Sequence, residues 1–255
     1  MPELSAVHQR LVDTVPAGAG ARIETATVAY EHDGQPLEGY VAHDAAITER
    51  KPAVVIVHDW SGLREYPKAR AQMLARLGYY AFAADIYGTG RRFESEDDCF
   101  AEATKYYGDL PLLRARVRAA YDEVAKNPAV DPERIVVLGY CFGGSAALEF
   151  ARTGAALRGA VSLHGRLIVH EPAEVDGITG SLLVLTGGAD EVVPDSAIAA
   201  FQDELRTRED LDWQVNVYSG APHAYTIAGT EYFHETADRR SWQALTAFLG
   251  EVLGR

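Results

Sequence analysis

Ile135-Val136-Val137-Leu138-Gly139-Tyr140-Cys141-Phe142-Gly143-Gly144 decides how this chain is read. Four aliphatic residues in succession predict a buried strand, and the glycine-flanked segment behind them predicts an abrupt turn into a helix. In Gly-X-Cys-X-Gly the central residue occupies a strained backbone position, and strand and helix approach most closely at the residues two before and two after it. Gly139 and Gly143 supply the space this approach needs. Cys141 then stands where a nucleophile stands. A cysteine alone reads equally as a small buried apolar residue, so its surroundings have to decide.

Outward from this stretch, apolar runs recur at Ala53 to Val57, Tyr79 to Ala84, Gly159 to Leu163, Leu182 to Thr186 and Trp213 to Tyr218. Unbroken runs of this length suit strands buried on both faces of a parallel sheet. Helical periodicity lies between them, at Pro67 to Leu77, Leu112 to Lys126, Ser145 to Arg152, Ala197 to Arg206 and Thr236 to Leu253. Such alternation predicts an α/β fold with a mostly parallel central sheet and helices on both faces. Residues 23 to 31 and 37 to 43 flank an Asp33-Gly34 step and predict an antiparallel hairpin at the start. The acidic stretch Glu94 to Asp98 reads as a helix start, and residues 164 to 180 show no clear period. No repeat or linker divides the chain, so the expected organisation is an extension over residues 1–22 and a single domain over 23–255.

With 255 residues, 47% hydrophobic and 24% charged, the chain has the composition of a folded globular protein. A formal net charge of −13 argues against nucleic acid or an anionic membrane as partner, because both need clustered positive charge. A small molecule is the expected partner, for a monomer or small homo-oligomer. The absence of a signal-peptide pattern or long apolar run points to the cytoplasm, where the two cysteines, Cys99 and Cys141, would be reduced thiols. No metal is expected, since the histidines and cysteines lack ligand spacing.

Cys141 has candidate partners beyond two later strand ends. Asp190 follows Leu182 to Thr186 after Gly187-Gly188-Ala189, and His223 follows Tyr218 after Ser219-Gly220-Ala221-Pro222. The chain order of nucleophile, acid and histidine is that of a hydrolase triad on an open α/β sheet. A thiol attacks well only as thiolate, so an imidazole must take its proton and later return it to the leaving group. His223 suits that task, and Asp190 would orient it. The developing oxyanion needs amide donors, for which Phe142, after the nucleophile, and Trp60, after the strand ending at Val57, are the candidates.

These residues resemble the dienelactone hydrolase family of α/β-hydrolases from about Ile23 to the C-terminal helix. Besides the Cys141 turn, the similar segments are Val57-His58-Asp59-Trp60-Ser61-Gly62-Leu63, Ala84-Asp85-Ile86-Tyr87-Gly88, Gly188-Ala189-Asp190-Glu191-Val192-Val193-Pro194 and Pro222-His223-Ala224-Tyr225. The resemblance implies a Cys141–His223–Asp190 triad and cofactor-free cleavage of small esters or lactones through a thioester acyl-enzyme. It also implies an auxiliary carboxylate at Asp59 that helps control the thiol's protonation; the family often has glutamate there, and a carboxylate that only binds loop amides is the alternative. Dienelactone-cleaving members carry two arginines for the substrate carboxylate, where this chain has Thr89 and Ile227. Arg91 or Arg92 could replace one of them, or both could be solvated. Tyr87, His164 and Tyr225 either line the pocket or pack. A non-catalytic ligand-binding or redox-sensing protein on the same fold is the competing reading.

Overall fold

The computed structural model describes residues 4–254. Its contacts divide into two compact units, one running to Ile135 and the other from Val136.

In the first unit, β1 (Ile23–His32) and β2 (Gln35–Asp44) form the expected hairpin, with His32 opposite Gln35. Asp33 and Gly34 both have positive φ, 50° and 71°, as a two-residue turn matched to strand twist requires. Two further strands, β3 (Lys51–Val57) and β4 (Tyr80–Ala84), are buried at every residue and pair in parallel, while β2 pairs antiparallel with β4. The order is therefore β1-β2-β4-β3. Full burial explains why β3 and β4 read as unbroken apolar runs.

Helices α2 (Glu65–Arg76), α3 (Glu96–Tyr107) and α4 (Leu110–Ala125) also belong to this unit. Ser95 caps α3 by accepting the Asp98 amide at 3.2 Å, and Glu96, Asp97 and Asp98 fill its first turn, where negative charge suits the helix dipole. The segment expected to be an extension contains a helix, α1 (Ala6–Asp13). Arg76 of α2 ties it down by donating to the carbonyls of Val12 and Val15 at 3.0 and 2.9 Å and pairing with Asp13 at 3.0 Å. Eight residues with two buried side chains, Leu11 and Val12, are too few for periodicity to reveal.

The second unit carries the parallel run β5-β6-β7-β8 (Val130–Tyr140, Gly159–Leu163, Ser181–Gly187 and Trp213–Tyr218), β5 beginning in the first unit. β5 starts five residues before its apolar run because the polar Asp131, Glu133 and Arg134 continue the strand. Its helices are α5 (Phe142–Ala151), α6 (Asp195–Leu205) and α7 (Glu235–Leu253). All ten residues of α5 are buried; nine are small or apolar, and the tenth, Glu149, is paired with Arg152 and His170.

Residues 164–180 form no helix or strand but are anchored from below. Arg152 donates to the carbonyls of Glu174 and Ile168 and binds Glu204 through two bonds of 2.7 and 2.9 Å. Arg208 reaches the carbonyls of Val175 and Ile178. Among the described residues, no helix is long and apolar enough to cross a membrane.

Candidate active site

The strand β5 ends at Tyr140 and α5 begins at Phe142, leaving Cys141 alone at the turn with φ 54° and ψ −116°. Few non-glycine residues adopt a positive φ, and one held there between strand and helix projects its side chain out of both. A Cβ at Gly139 would collide with the backbone of Gly143, so the small residues around the thiol are a steric requirement of the turn. Cys141 occupies the N-cap position of α5. Phe142 is the first residue of that helix.

Cys141 Sγ lies 3.2 Å from His223 Nε2. The other ring nitrogen, Nδ1, lies 2.9 and 3.1 Å from the two oxygens of Asp190. Asp190 sits beyond β7 with its side chain wholly buried, and its Oδ1 also accepts the amides of Val192 and Val193 at 2.8 and 3.0 Å. The carboxylate thus closes its own turn and faces the imidazole at once. Burial alone would lower the His223 pKa. Hydrogen bonds to Asp190 and Cys141, together with their charges, outweigh that cost and push it up to about 10. An imidazole so placed carries a proton at neutral pH when the sulfur beside it is anionic.

His164, at the end of β6, is inaccessible to solvent and has φ 41°. Its Nδ1 accepts the Cys141 amide at 3.1 Å, its Nε2 stands 2.7 Å from Thr226 Oγ1, and its ring meets that of His223 edge to face at 5.6 Å. Tyr225 is equally inaccessible and packs edge to face on His164 at 5.2 Å. Neither side chain presents surface to solvent.

The remaining candidates lie in the first unit. His58, fully buried, accepts the Ile86 amide on Nε2 and therefore carries its proton on Nδ1, which donates to the Asp59 carbonyl at 2.6 Å. Burial lowers the His58 pKa and keeps the ring neutral. Because carbonyl and amide point oppositely across a trans peptide, this bond also fixes the direction of the Trp60 N–H. Tyr87 is buried, with its hydroxyl donating to the Trp60 carbonyl at 3.2 Å and its ring against His58 and Tyr106. It braces the Trp60 loop.

Asp59 Oδ1 accepts the amide and hydroxyl of Ser61 at 2.8 and 2.5 Å, the loop-binding arrangement. Arg91 pairs with Glu102 at 2.7 Å, while Arg92 donates to the Leu63 carbonyl at 2.6 Å and approaches Glu38. Sequence reasoning assigned nothing to His58 or Thr226. Only the position of His58 beside Asp59 could have drawn attention to it, because a hydrogen bond to a distant amide leaves no trace in spacing. Among the described residues, no group of three or more His, Cys, Asp or Glu side chains is arranged to hold a metal ion.

A family model described as "Dienelactone hydrolase family" matches residues 37–253. A Salmonella typhimurium protein named "Putative carboxymethylenebutenolidase" is 24% identical, over 100% of this chain and 96% of its own length. A Bradyrhizobium protein named "Probable 2-oxo-3-(5-oxofuran-2-ylidene)propanoate lactonase" is 26% identical, over 85% and 90% of the two chains. Among solved structures, a dienelactone hydrolase-like promiscuous phosphotriesterase from metagenomic libraries superposes with a TM-score of 0.86 at 33% identity, covering 91% of this chain and 99% of its own.

Proposed function

The chain belongs to the dienelactone hydrolase family, is a hydrolase of that kind with an α/β-hydrolase fold, and on that premise we propose that it opens small carboxylic esters or lactones through a thioester on Cys141. The observation that carries this reading is the single line of contacts from Cys141 Sγ to His223 Nε2 and from His223 Nδ1 to Asp190.

The sulfur attacks the carbonyl carbon as thiolate while the neighbouring imidazolium retains the proton. The carbonyl oxygen becomes an oxyanion, held by the amide of Phe142 and, on this proposal, that of Trp60. As the intermediate collapses, His223 gives its proton to the leaving alkoxide and the thioester remains. A water then loses a proton to His223 and attacks the thioester, releasing the acid and restoring the thiolate–imidazolium pair. Asp190 holds Nδ1 and stabilises the imidazolium throughout. The product acid forms in the cytoplasm on this reading.

The experiment is intact-mass analysis during turnover of a p-nitrophenyl ester. It should show one acyl group on the protein, absent in Cys141→Ala. Full turnover by Cys141→Ala would overturn the assignment and favour a fold without this chemistry.

A further inference from the structure

We propose that His164 is a positioning residue that ties the nucleophile's turn to the loop carrying His223 and so sets the distance between sulfur and imidazole. The inference rests on the thioester reading and goes beyond it by assigning a task to a second buried histidine.

Both nitrogens of His164 are committed to the protein. Because Nδ1 accepts the Cys141 N–H at 3.1 Å it is unprotonated, so the ring's proton is on Nε2, aimed at Thr226 Oγ1 at 2.7 Å. Thr226 lies three residues after His223 and is itself inaccessible. A ring with both nitrogens engaged and no exposed surface cannot exchange a proton with substrate. It can, however, fix two loops relative to each other. One bond ends on the residue that bears the sulfur and the other on the loop that bears the imidazole, while the ring's edge-to-face contact at 5.6 Å restrains rotation of His223.

The backbone shows that something must hold this region. Of the non-glycine residues with positive φ among the described residues, Cys141, His164 and Ala224 surround these contacts, and only Asp33, in the hairpin turn, lies elsewhere. Such conformations persist where neighbouring bonds over-determine them. Here the Cys141 amide is shared between the Leu163 carbonyl at 2.9 Å and His164 Nδ1, and the His164 amide donates to the Leu185 carbonyl at 2.8 Å. Tyr140 and Tyr225 close around the ring at centroid distances of 6.1 and 5.2 Å. The ring is thus seated by packing, and its two polar bonds are left to transmit position.

The tie is cut from either end by Thr226→Val, which keeps the shape of the side chain, and by His164→Asn, which keeps an acceptor near Nδ1 and loses Nε2. With a p-nitrophenyl ester, and with rates normalised to the alkylatable Cys141 thiol, each should lower kcat about tenfold and leave KM within about twofold. Since both remove one link, the double variant should fall no further than the weaker single, whereas independent roles would multiply to about a hundredfold. The His223 ring protons, followed by NMR in Thr226→Val, should titrate below the wild-type midpoint, because a sulfur that has moved away holds the imidazolium less well.

Wild-type kcat per thiol in both single variants would overturn the proposal. So would multiplicative losses, or a change confined to KM, which would make His164 a pocket wall. Cys141→Ala in the same assay separates the two levels. Retained turnover there sinks the thioester reading itself, while an inactive Cys141→Ala beside fully active His164 and Thr226 variants sinks only the tie.

Discussion

Cys141, His223 and Asp190 lie in one line of contacts, and the tasks proposed for them predict different losses. On the proposed mechanism His223→Ala removes the group that carries protons to and from the reacting atoms, so it should lower kcat by about a hundred- to ten-thousandfold with a much smaller change in KM, measured on a neutral ester. Cys99 is buried and burial raises its pKa, so Cys99→Ser should leave kcat close to wild type. The raised pKa of His223, about 10 against an ordinary 6.5, also bears on stability. A group that binds its proton more tightly when folded contributes fully below its unfolded pKa, and the contribution is lost as pH rises through the folded value. The difference in melting temperature between wild type and His223→Gln should therefore be largest below about pH 6.5 and shrink steadily toward pH 10. A difference that grew over that interval would show that the imidazole is not held protonated by its neighbours. The sequence made these three residues legible because each follows a strand end in a fixed chain order. His58, His164 and Thr226 were not legible in these roles, because their bonds join segments far apart in sequence.

At the scale of elements, the turn from β5 into α5 and the anchoring beneath residues 164–180 carry the site. A methyl group at Gly139 would meet the Gly143 backbone, which cannot move without shifting α5. Gly139→Ala should cost about 3 kcal/mol or more in urea unfolding and lower activity more than stability alone explains. Arg152 has only 1% of its side chain exposed, between Glu204 and Glu149, which are 2% and 1% exposed. Arg152→Ala removes the guanidinium from two buried carboxylates, leaving Glu149 with His170 and Glu204 with the Glu174 amide, and frees the carbonyls of Ile168 and Glu174, so a loss of about 3–5 kcal/mol is expected. Arg206→Ala, which breaks an exposed pair with Asp203, should cost under about 1 kcal/mol by the same measurement. Long periodic helices and apolar strands were readable to within a few residues. Helix α1 was not, because Arg76 and the surface of α2, rather than its own short pattern, hold it in place.

At the scale of the whole molecule, charge and side-chain engagement bear on substrate choice. The net charge of −13 disfavours anions, and the family resemblance implies arginines for a substrate carboxylate at the places of Thr89 and Ile227. Arg91 and Arg92 are already engaged, with Glu102 and with the Leu63 carbonyl. Neutral esters should therefore exceed matched carboxylate-bearing esters in kcat/KM, and Arg91→Ala/Arg92→Ala should leave that ratio within about twofold. A wild-type preference for the carboxylated substrate that disappears in the double variant would show that this loop supplies the missing cations. The amino-acid sequence by itself determined the α/β class and the family, and it singled out three residues that follow the ends of β5, β7 and β8, because hydrophobic period, glycine spacing and chain order are local or ordered signals. Only the tertiary structure decided that Tyr87, His164 and Tyr225 are buried, that Asp59 accepts hydrogen bonds from Ser61 of its own loop, and that Arg91 and Arg92 contact Glu102 and the Leu63 carbonyl. Burial and hydrogen-bond partnership depend on which distant segments meet. A residue type restricts those partners but does not select among them.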